Sequence, residues 1–409
     1  MSILEELNTD GVWDMFLQYK LEKRHLSPKE EKEWRTFIKE KRYRTVTGQL
    51  MQEDFAFAYP EKISINKKGT GKKRVVYSYP ETESMVLKAM AFLLYRYDGQ
   101  ISPSCYSFRQ GSSARAAIGK ILAIPCLSNK YCLKADISNY FNSIPPAQLI
   151  TVLKDIISDD EPLLRFLEHL LLADRAYENG ILITENRGAM AGIPLSPFFA
   201  NLYLLSLDNL FESRSIPYFR YSDDILIFAD SMEELAGYQA LLQAHIEKKG
   251  LTLNPNKISV CMPGENWEFL GFCYKQGTMD LSRITKEKMK AKIRRKAHAL
   301  YRWRIRNGAD FDRTAKALIR TFNKKFYDEQ DERTFSWSRW FFPVLGTADG
   351  LKELDSFFIQ YIRYLSSGRH YKGNYRISYE KIKELGFRSL VHEYYLFKEG
   401  KQKGCSTDS

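Results

Sequence analysis

The stretch Tyr221-Ser222-Asp223-Asp224-Ile225-Leu226-Ile227-Phe228 sets two adjacent carboxylates directly before a run of large apolar residues. With Tyr218 to Tyr221 on one side and Ile225 to Ala229 on the other, two β-rich runs flank the acidic pair, which reads as a hairpin. Taken alone, the pair fits a turn that uses Asp because Asp tolerates turn backbone angles and hydrogen-bonds its neighbours. A second acid weighs against that reading. Asp136 ends another buried-looking strand within Leu133-Lys134-Ala135-Asp136-Ile137-Ser138-Asn139-Tyr140-Phe141. If the two strands are neighbours, three carboxylates converge. Such a cluster repels itself unless protons or cations neutralise it, and hard oxygen ligands at a sheet edge suit Mg²⁺. Two ions about 4 Å apart would activate an attacking hydroxyl and steady the leaving oxygen of an in-line phosphoryl displacement, which is nucleotidyl-transfer chemistry.

The rest of the composition is compatible with that chemistry. The 409 residues allow two or three packed units, and 44% hydrophobic with 27% charged residues excludes a disordered chain or a fibrous repeat. No apolar run approaches the ~20 residues needed to cross a bilayer, so integral membrane function is not expected. The N-terminus Met1-Ser2-Ile3-Leu4-Glu5-Glu6 lacks the pattern of a secretory signal, and a cytoplasmic location is expected. The six cysteines form no C-x-x-C pair and read as packed, reduced thiols. Lys and Arg outnumber Asp and Glu by 62 to 50, a net +12, and with 25 Tyr, 25 Phe and 6 Trp the chain can attract a polyanion and stack on its bases. Nucleic acid is the first partner to test; a charge that serves only solubility is the alternative.

Along the chain, residues 1–48 are charged and helix-rich and read as an N-terminal helical extension. Ile63-Ser64-Ile65 and Val75-Val76-Tyr77 flank the basic turn Asn66 to Arg74, a basic hairpin. Helices are predicted over Glu81 to Tyr97, Pro145 to Ile157, Glu161 to Ala173, from Ser196 through Leu210, and over Met232 to Lys249. Short strands are predicted at Ile258 to Met262 and Trp267 to Tyr274, before a long basic helical region. Residues 400–409 read as a disordered tail.

Several of these segments, in order, carry a resemblance to a known family. Gly71-Lys72-Lys73-Arg74, Tyr106-Ser107-Phe108-Arg109-Gln110-Gly111 with Ala114 to Ile118, Asp136 to Phe141, Gly188 to Leu204, Tyr221-Ser222-Asp223-Asp224, Gly250 to Lys257 and Glu268 to Phe272 resemble the ordered motifs of bacterial reverse transcriptases, relatives of the group II intron and retron enzymes. The resemblance runs from about Ile63 to Tyr274 and more weakly to about Tyr395. One motif departs from it: Met190-Ala191-Gly192 stands where most relatives have Pro-Gln-Gly, so Ala191 replaces the glutamine beside the incoming nucleotide.

The resemblance implies an α+β right-hand polymerase, with fingers and palm over 49–277, built on an antiparallel sheet plus helices, and a helical thumb over 278–399. It implies RNA-directed DNA synthesis from dNTPs with two Mg²⁺ ions, an RNA template and a cDNA product. Asp136 and Asp223 would bridge both metals, the Ile137 carbonyl could add a ligand, and Asp224 would be auxiliary. Lys73 and Arg74 would clamp the triphosphate, with a solvated basic turn as the alternative and Lys72 a possible substitute. Lys257 could protonate the departing pyrophosphate, or be a surface lysine after a turn. Phe141 would underlie the incoming sugar beside Ala191 and Gly192, or be a buried ring at a strand end. Arg109, Gln110 and Gly271 of the primer grip would contact nucleic acid.

From Arg283 to Arg306 eleven basic residues stand against one acid, while Met289, Ile293, Ala297 and Leu300 form an apolar helix face. Lys292, Arg294, Arg295 and Lys296 of this helix would track a template and primer backbone; a membrane-surface helix is the alternative. Among bacterial reverse transcriptases the chain looks most like the defence-associated ones and resembles their second class, which copy a companion structured non-coding RNA during phage infection. A mobile-element enzyme and a non-catalytic RNA-binding scaffold are the rival readings.

Overall fold

The structure is a computed structural model that describes residues 1–23, 26–52, 54–66, 73–327 and 336–405. Two compact units divide the chain, Met1–Pro263 and Gly264–Ser409.

Among its described residues the first unit holds eight strands: β1 (Glu61–Asn66), β2 (Lys73–Ser78), β3 (Tyr131–Asp136), β4 (Arg175–Glu178), β5 (Ile181–Thr184), β6 (Tyr218–Tyr221), β7 (Asp224–Ala229) and β8 (Ser259–Cys261). They form two sheets, ordered β2-β1-β4-β5 and β6-β7-β3-β8. All pairings are antiparallel except β1 with β4. In β7 every residue from Ile225 to Ala229 is buried, because a central strand covered on both faces has no solvent side on which to alternate. The helix Met232–Lys248 packs on β7 and β3, and Ser231 caps its start by accepting the Glu234 N–H at 3.1 Å.

The predicted basic hairpin is β1 with β2, and the predicted hairpin at the acidic pair is β6 with β7, with Asp223 in its turn and Asp224 as the first residue of β7. Two predicted helices are each interrupted. The first is α-helical over Glu81–Leu93 and then 3₁₀ over Leu94–Gln100; the second breaks at Leu204 into Ser196–Tyr203 and Leu205–Ser213. The β4–β5 hairpin was not expected. Its turn, Asn179-Gly180, has both φ values positive, +52° and +80°, the geometry for which Asn-Gly is suited.

The charged N-terminal segment forms four helices, Ile3–Leu7, Asp10–Lys23, Pro28–Lys39 and Tyr43–Leu50, and belongs to the core of the first unit. Trp13 stacks on Tyr43 with ring centroids 4.4 Å apart. Asp160, at the start of the helix Glu161–Leu172, accepts from Ser2 Oγ at 2.6 Å and from the Ile3 N–H at 2.7 Å, which fastens the chain start to that helix.

The second unit begins with a three-stranded sheet, β11-β10-β9, made of β9 (Trp267–Phe269), β10 (Phe272–Lys275) and β11 (Thr278–Leu281). The 25-residue helix Arg283–Asn307 follows, capped by Ser282 and ended by Gly308 at φ +61°. Its buried residues are Met289, Ile293 and Ala297, on the predicted apolar face, and it packs on the helix Asp349–Ser367. Of the expected tail, residues 400–405 continue the helix Leu390–Cys405, and 406–409 lie outside the described residues. Among the described residues no helix is long and apolar enough to cross a membrane.

Candidate active site

The β6–β7 turn is tight. Tyr221 pairs with Asp224, leaving Ser222 and Asp223 as the two turn residues, and Ser222 takes φ +61°. A non-glycine residue there costs ~1–3 kcal/mol unless its surroundings impose it. Here they do. The Ser222 N–H donates to Ser107 Oγ at 2.9 Å, and the Ser222 carbonyl accepts from Arg220 NH1 at 3.3 Å. Arg220 is wholly buried and forks onto Asp208, also wholly buried, with Nε–Oδ1 at 2.7 Å. The Asn201 carbonyl and the Tyr218 hydroxyl complete this buried polar network.

On that base the acidic residues meet. The register of β3 against β7 places Asp136 opposite Asp224. The Ile137 N–H donates to the Asp223 carbonyl at 3.2 Å, so the end of β3 is stitched to the turn. Asp136 is 3% exposed, and its Oδ2 is ion-paired with the Lys257 ammonium. The loop carrying Lys257 is tied to the same strand end, with the Asn254 N–H donating to the Asp136 carbonyl at 2.7 Å. Burial raises the Asp223 carboxyl, and the Asp136 charge adds to the shift. Burial pushes Asp224 up to about 6, with the Asp223 charge as the next cause. Burial is the larger cause of both shifts, and the neighbouring carboxylate charge the second.

An oxygen-seeking cation fits this donor set, because it would offset burial and mutual repulsion together. As the side chains stand, the Lys257 ammonium supplies the counter-charge at Asp136, and among the described residues no three acidic, His or Cys side chains are gathered closely enough to hold an ion.

Beside the carboxylates lies a second group of predicted residues. Phe141 is half-buried, with its ring centroid 5.7 Å from Tyr140 and 6.4 Å from Phe108. Ala191 is buried, and both of its backbone groups are used: its N–H donates to Asn142 Oδ1 at 2.7 Å and its carbonyl accepts from the Tyr77 N–H at 2.8 Å. Asn142 Nδ2 in turn donates to the Val75 carbonyl at 3.2 Å, so one side chain joins β2 to the loop. Gly192 has φ +108°, and a Cβ there would stand 2.9 Å from the Tyr77 carbonyl oxygen, an approach that only glycine permits. Asn142 is a residue that sequence reading missed, although it follows Phe141 directly.

Lys73 and Arg74 are exposed on β2, opposite Asn66 and Ile65, and the Arg74 charge is felt at Asp223. The turn expected to present them, 67–72 with Gly71 and Lys72, lies outside the described residues. Gln110 is exposed. Arg109 turns inward: its NH1 donates to the carbonyls of Ser102, at 2.7 Å, and Cys105, at 3.3 Å, so reaching a nucleic-acid chain would cost those bonds.

Gly271 and the basic helix belong to the second unit. Leu270 and Gly271 form the β9–β10 turn with φ +50° and +91°, and the Gly271 carbonyl accepts from the Ser282 N–H at 3.0 Å. Lys292, Arg294, Arg295 and Lys296 are exposed, and Arg294 Nε also donates to the Tyr361 hydroxyl at 3.2 Å. Not all of this helix's charge is available, since Lys286 and Lys290 are both paired with Glu353.

Over residues 65–274 the chain matches the family model described as Reverse transcriptase (RNA-dependent DNA polymerase). It is 24% identical over 234 residues to the Retron Ec86 reverse transcriptase of Escherichia coli, covering 56% of this chain and 68% of that protein. It is 30% identical over 174 residues to the "Uncharacterized 91 kDa protein in cob intron" of Schizosaccharomyces pombe, covering 40% of this chain but 20% of that protein. Among solved structures, telomerase from Candida tropicalis in complex with a TWJ fragment of telomeric RNA aligns at 12% identity and a TM-score of 0.45, over 80% of this chain and 64% of that one.

Proposed function

We propose, since this chain belongs to the reverse transcriptase (RNA-dependent DNA polymerase) family, that it copies RNA into DNA by metal-assisted nucleotidyl transfer at Asp136, Asp223 and Asp224. The observation that carries this reading is the register that sets Asp136 opposite Asp224, with Asp223 in the adjoining turn. Reverse transcriptase domains generally use divalent metal ions, and two Mg²⁺ here would polarise the attacking hydroxyl and neutralise charge on the transferred phosphoryl group.

The chain's own residues supply position and protons. Asp136 and Asp223 would hold the ions, with the Ile137 carbonyl as a further oxygen ligand and Asp224 as the auxiliary carboxylate. Lys257, paired with Asp136 in this structure, would donate a proton to the departing pyrophosphate. Lys73 and Arg74 neutralise the triphosphate from β2, and the backbone of Ala191 and Gly192, held by Asn142, lines the nucleotide. The exposed Arg295 and Lys296, with Arg294, Lys292 and the Gly271 turn, track the primer and template. Fingers and palm are assigned to 49–277 and the thumb to 278–399.

Phe141 selects the sugar. A ring beneath the ribose leaves no room for a 2′-hydroxyl, so Phe141→Ala is expected to raise the ribonucleotide-to-deoxyribonucleotide efficiency ratio about tenfold, for a loss of exclusion worth ~1.4 kcal/mol. Single-nucleotide insertion on one primed template measures it. An unchanged ratio in a folded variant removes Phe141 from the gate. For the thumb, reversing Arg294, Arg295 and Lys296 to Glu should weaken duplex binding and flatten its salt dependence by roughly 1 per lost phosphate contact. An unaltered slope would put those side chains elsewhere.

The template proposed is a companion structured RNA, copied in cytoplasmic antiphage defence. Support comes from the family resemblance. A second reading, service to a mobile intron, is favoured by the likeness to the S. pombe intron protein. Sequencing the RNA and cDNA that copurify with the chain decides. A compact non-coding RNA with complementary cDNA, absent from an Asp223→Ala chain, supports the first; intron RNA supports the second; RNA without cDNA overturns synthesis.

A further inference from the structure

The second unit carries a groove of about 1030 Å³ bordered by the helix Phe311–Tyr327, the end of the helix Arg283–Asn307, and residues 385–388. Along its floor Arg313, Lys316, Arg320 and Lys324 recur three, four and four residues apart, so they occupy one face of one helix. Like charges at that spacing repel, and Lys316, Arg320 and Lys324 form no ion pair among the described residues. No described residue lining the groove is acidic. From Lys316 to Lys324 the row is about 12 Å long at 1.5 Å per residue.

The walls are aromatic where the floor is cationic. Trp303 is 39% exposed, which is unusual for so large an apolar ring, and the Arg313 guanidinium lies over it at 5.4 Å. Opposite, Arg388 lies over Tyr327 at 4.4 Å, but its guanidinium is already bonded to Glu393, so it serves the wall rather than the floor.

We propose that this groove holds a single-stranded RNA segment, separate from the duplex being extended, with phosphates on Lys316, Arg320 and Lys324 and a base stacked on Trp303. The inference rests on the reading that RNA is this chain's partner. A row of cations with no ion pair among the described residues, spaced along a channel, follows a phosphodiester backbone, and an exposed indole at its rim offers any base a stacking face. A duplex would present its phosphates but keep its bases stacked on one another, leaving Trp303 without a role.

The test uses the full chain and a short fluorescein-labelled oligouridylate, with affinity measured across a salt series. Replacing Lys316, Arg320 and Lys324 together by Gln should lower the log–log salt slope by about 2, at ~0.7 per single-strand phosphate contact. Trp303→Ala should weaken binding about tenfold at an unchanged slope, as expected for one lost base stack. Because the Gln substitutions remove a repulsion, they are expected to leave the fold intact; if that variant unfolds, the Trp303→Ala arm decides alone. A slope equal to wild type, a Trp303→Ala affinity equal to wild type, or displacement of the RNA by an equal charge of polyglutamate would each overturn the proposal, the last by showing a site for acidic peptide. Primer extension on a short duplex should stay within about twofold of wild type in both variants. Failure of extension by the wild-type chain counts against the polymerase reading, and failure of the slope or stacking result against the groove.

Discussion

Asp223→Ala and Asp136→Ala should each lower primer extension on a primed RNA template by a thousandfold or more while RNA binding stays near wild type. The magnitude follows from losing several kcal/mol of transition-state charge stabilisation at ~1.4 kcal/mol per tenfold in rate. Retained binding is expected because the residues proposed to hold nucleic acid are cations elsewhere. Removing either carboxylate also removes one cause of the raised neighbours, since the Asp136 charge lifts Asp223 and the Asp223 charge lifts Asp224. Asp223→Ala should therefore be at least as stable as wild type; Asp136→Ala also loses its ion pair with Lys257, so its melting temperature is measured beside its extension rate to separate a chemical defect from a folding one. Activity within tenfold of wild type in either variant would remove that residue from the metal site.

Arg220→Met should be the most destabilising single change near the site, although Arg220 contacts no substrate in this account. Its guanidinium and the Asp208 carboxylate are wholly buried and bonded to each other, and removing one partner of such a pair leaves an uncompensated charge at a cost of ~3–5 kcal/mol. Thermal melting should fall by on the order of 10 °C. The double variant Arg220→Met with Asp208→Leu should recover more than half of the loss, because no buried charge is then left alone. The Ser222 carbonyl would still lack its Arg220 partner, so the double variant should remain impaired in extension after stability returns. A melting temperature within a degree of wild type in the single variant would mean that the pair is not the support described.

Much of the site was legible in the sequence because apolar runs that stop at an acid mark strand ends. Asp136 reads that way as the end of one run, and the Asp223-Asp224 pair reads likewise as the start of another. What periodicity cannot supply is the pairing of β3 with β7, since a strand's pattern tells which residues are buried and not which distant strand covers its edge. The conformation of Ser222 was also out of reach, because its positive φ is imposed by Ser107 and Arg220, residues that meet only in the folded sheet. Arg220 itself left a trace: a charged residue inside Tyr218-Phe219-Arg220-Tyr221, where the neighbours are aromatic, needs a buried partner. The N-terminal segment was read as an extension because its charges are conspicuous. Its aromatic residues, Trp13, Phe16, Trp34 and Phe37, are in the core, and only the structure supplies the surface they pack against. The β4–β5 hairpin escaped because its strands are four residues long and Tyr177, Ile181 and Leu182 are exposed, which leaves little of a buried pattern.

The central claim is that the Asp136, Asp223 and Asp224 cluster performs RNA-templated DNA synthesis, and extension of a labelled DNA primer on an RNA template by the purified chain tests it most directly. The account predicts incorporation of deoxyribonucleotides complementary to the template with Mg²⁺, none after chelation, and none above background from Asp136→Ala. Extension that persists in folded Asp136→Ala, or a wild-type chain that is folded, binds the primed template and adds no nucleotide with Mg²⁺ present, would contradict it.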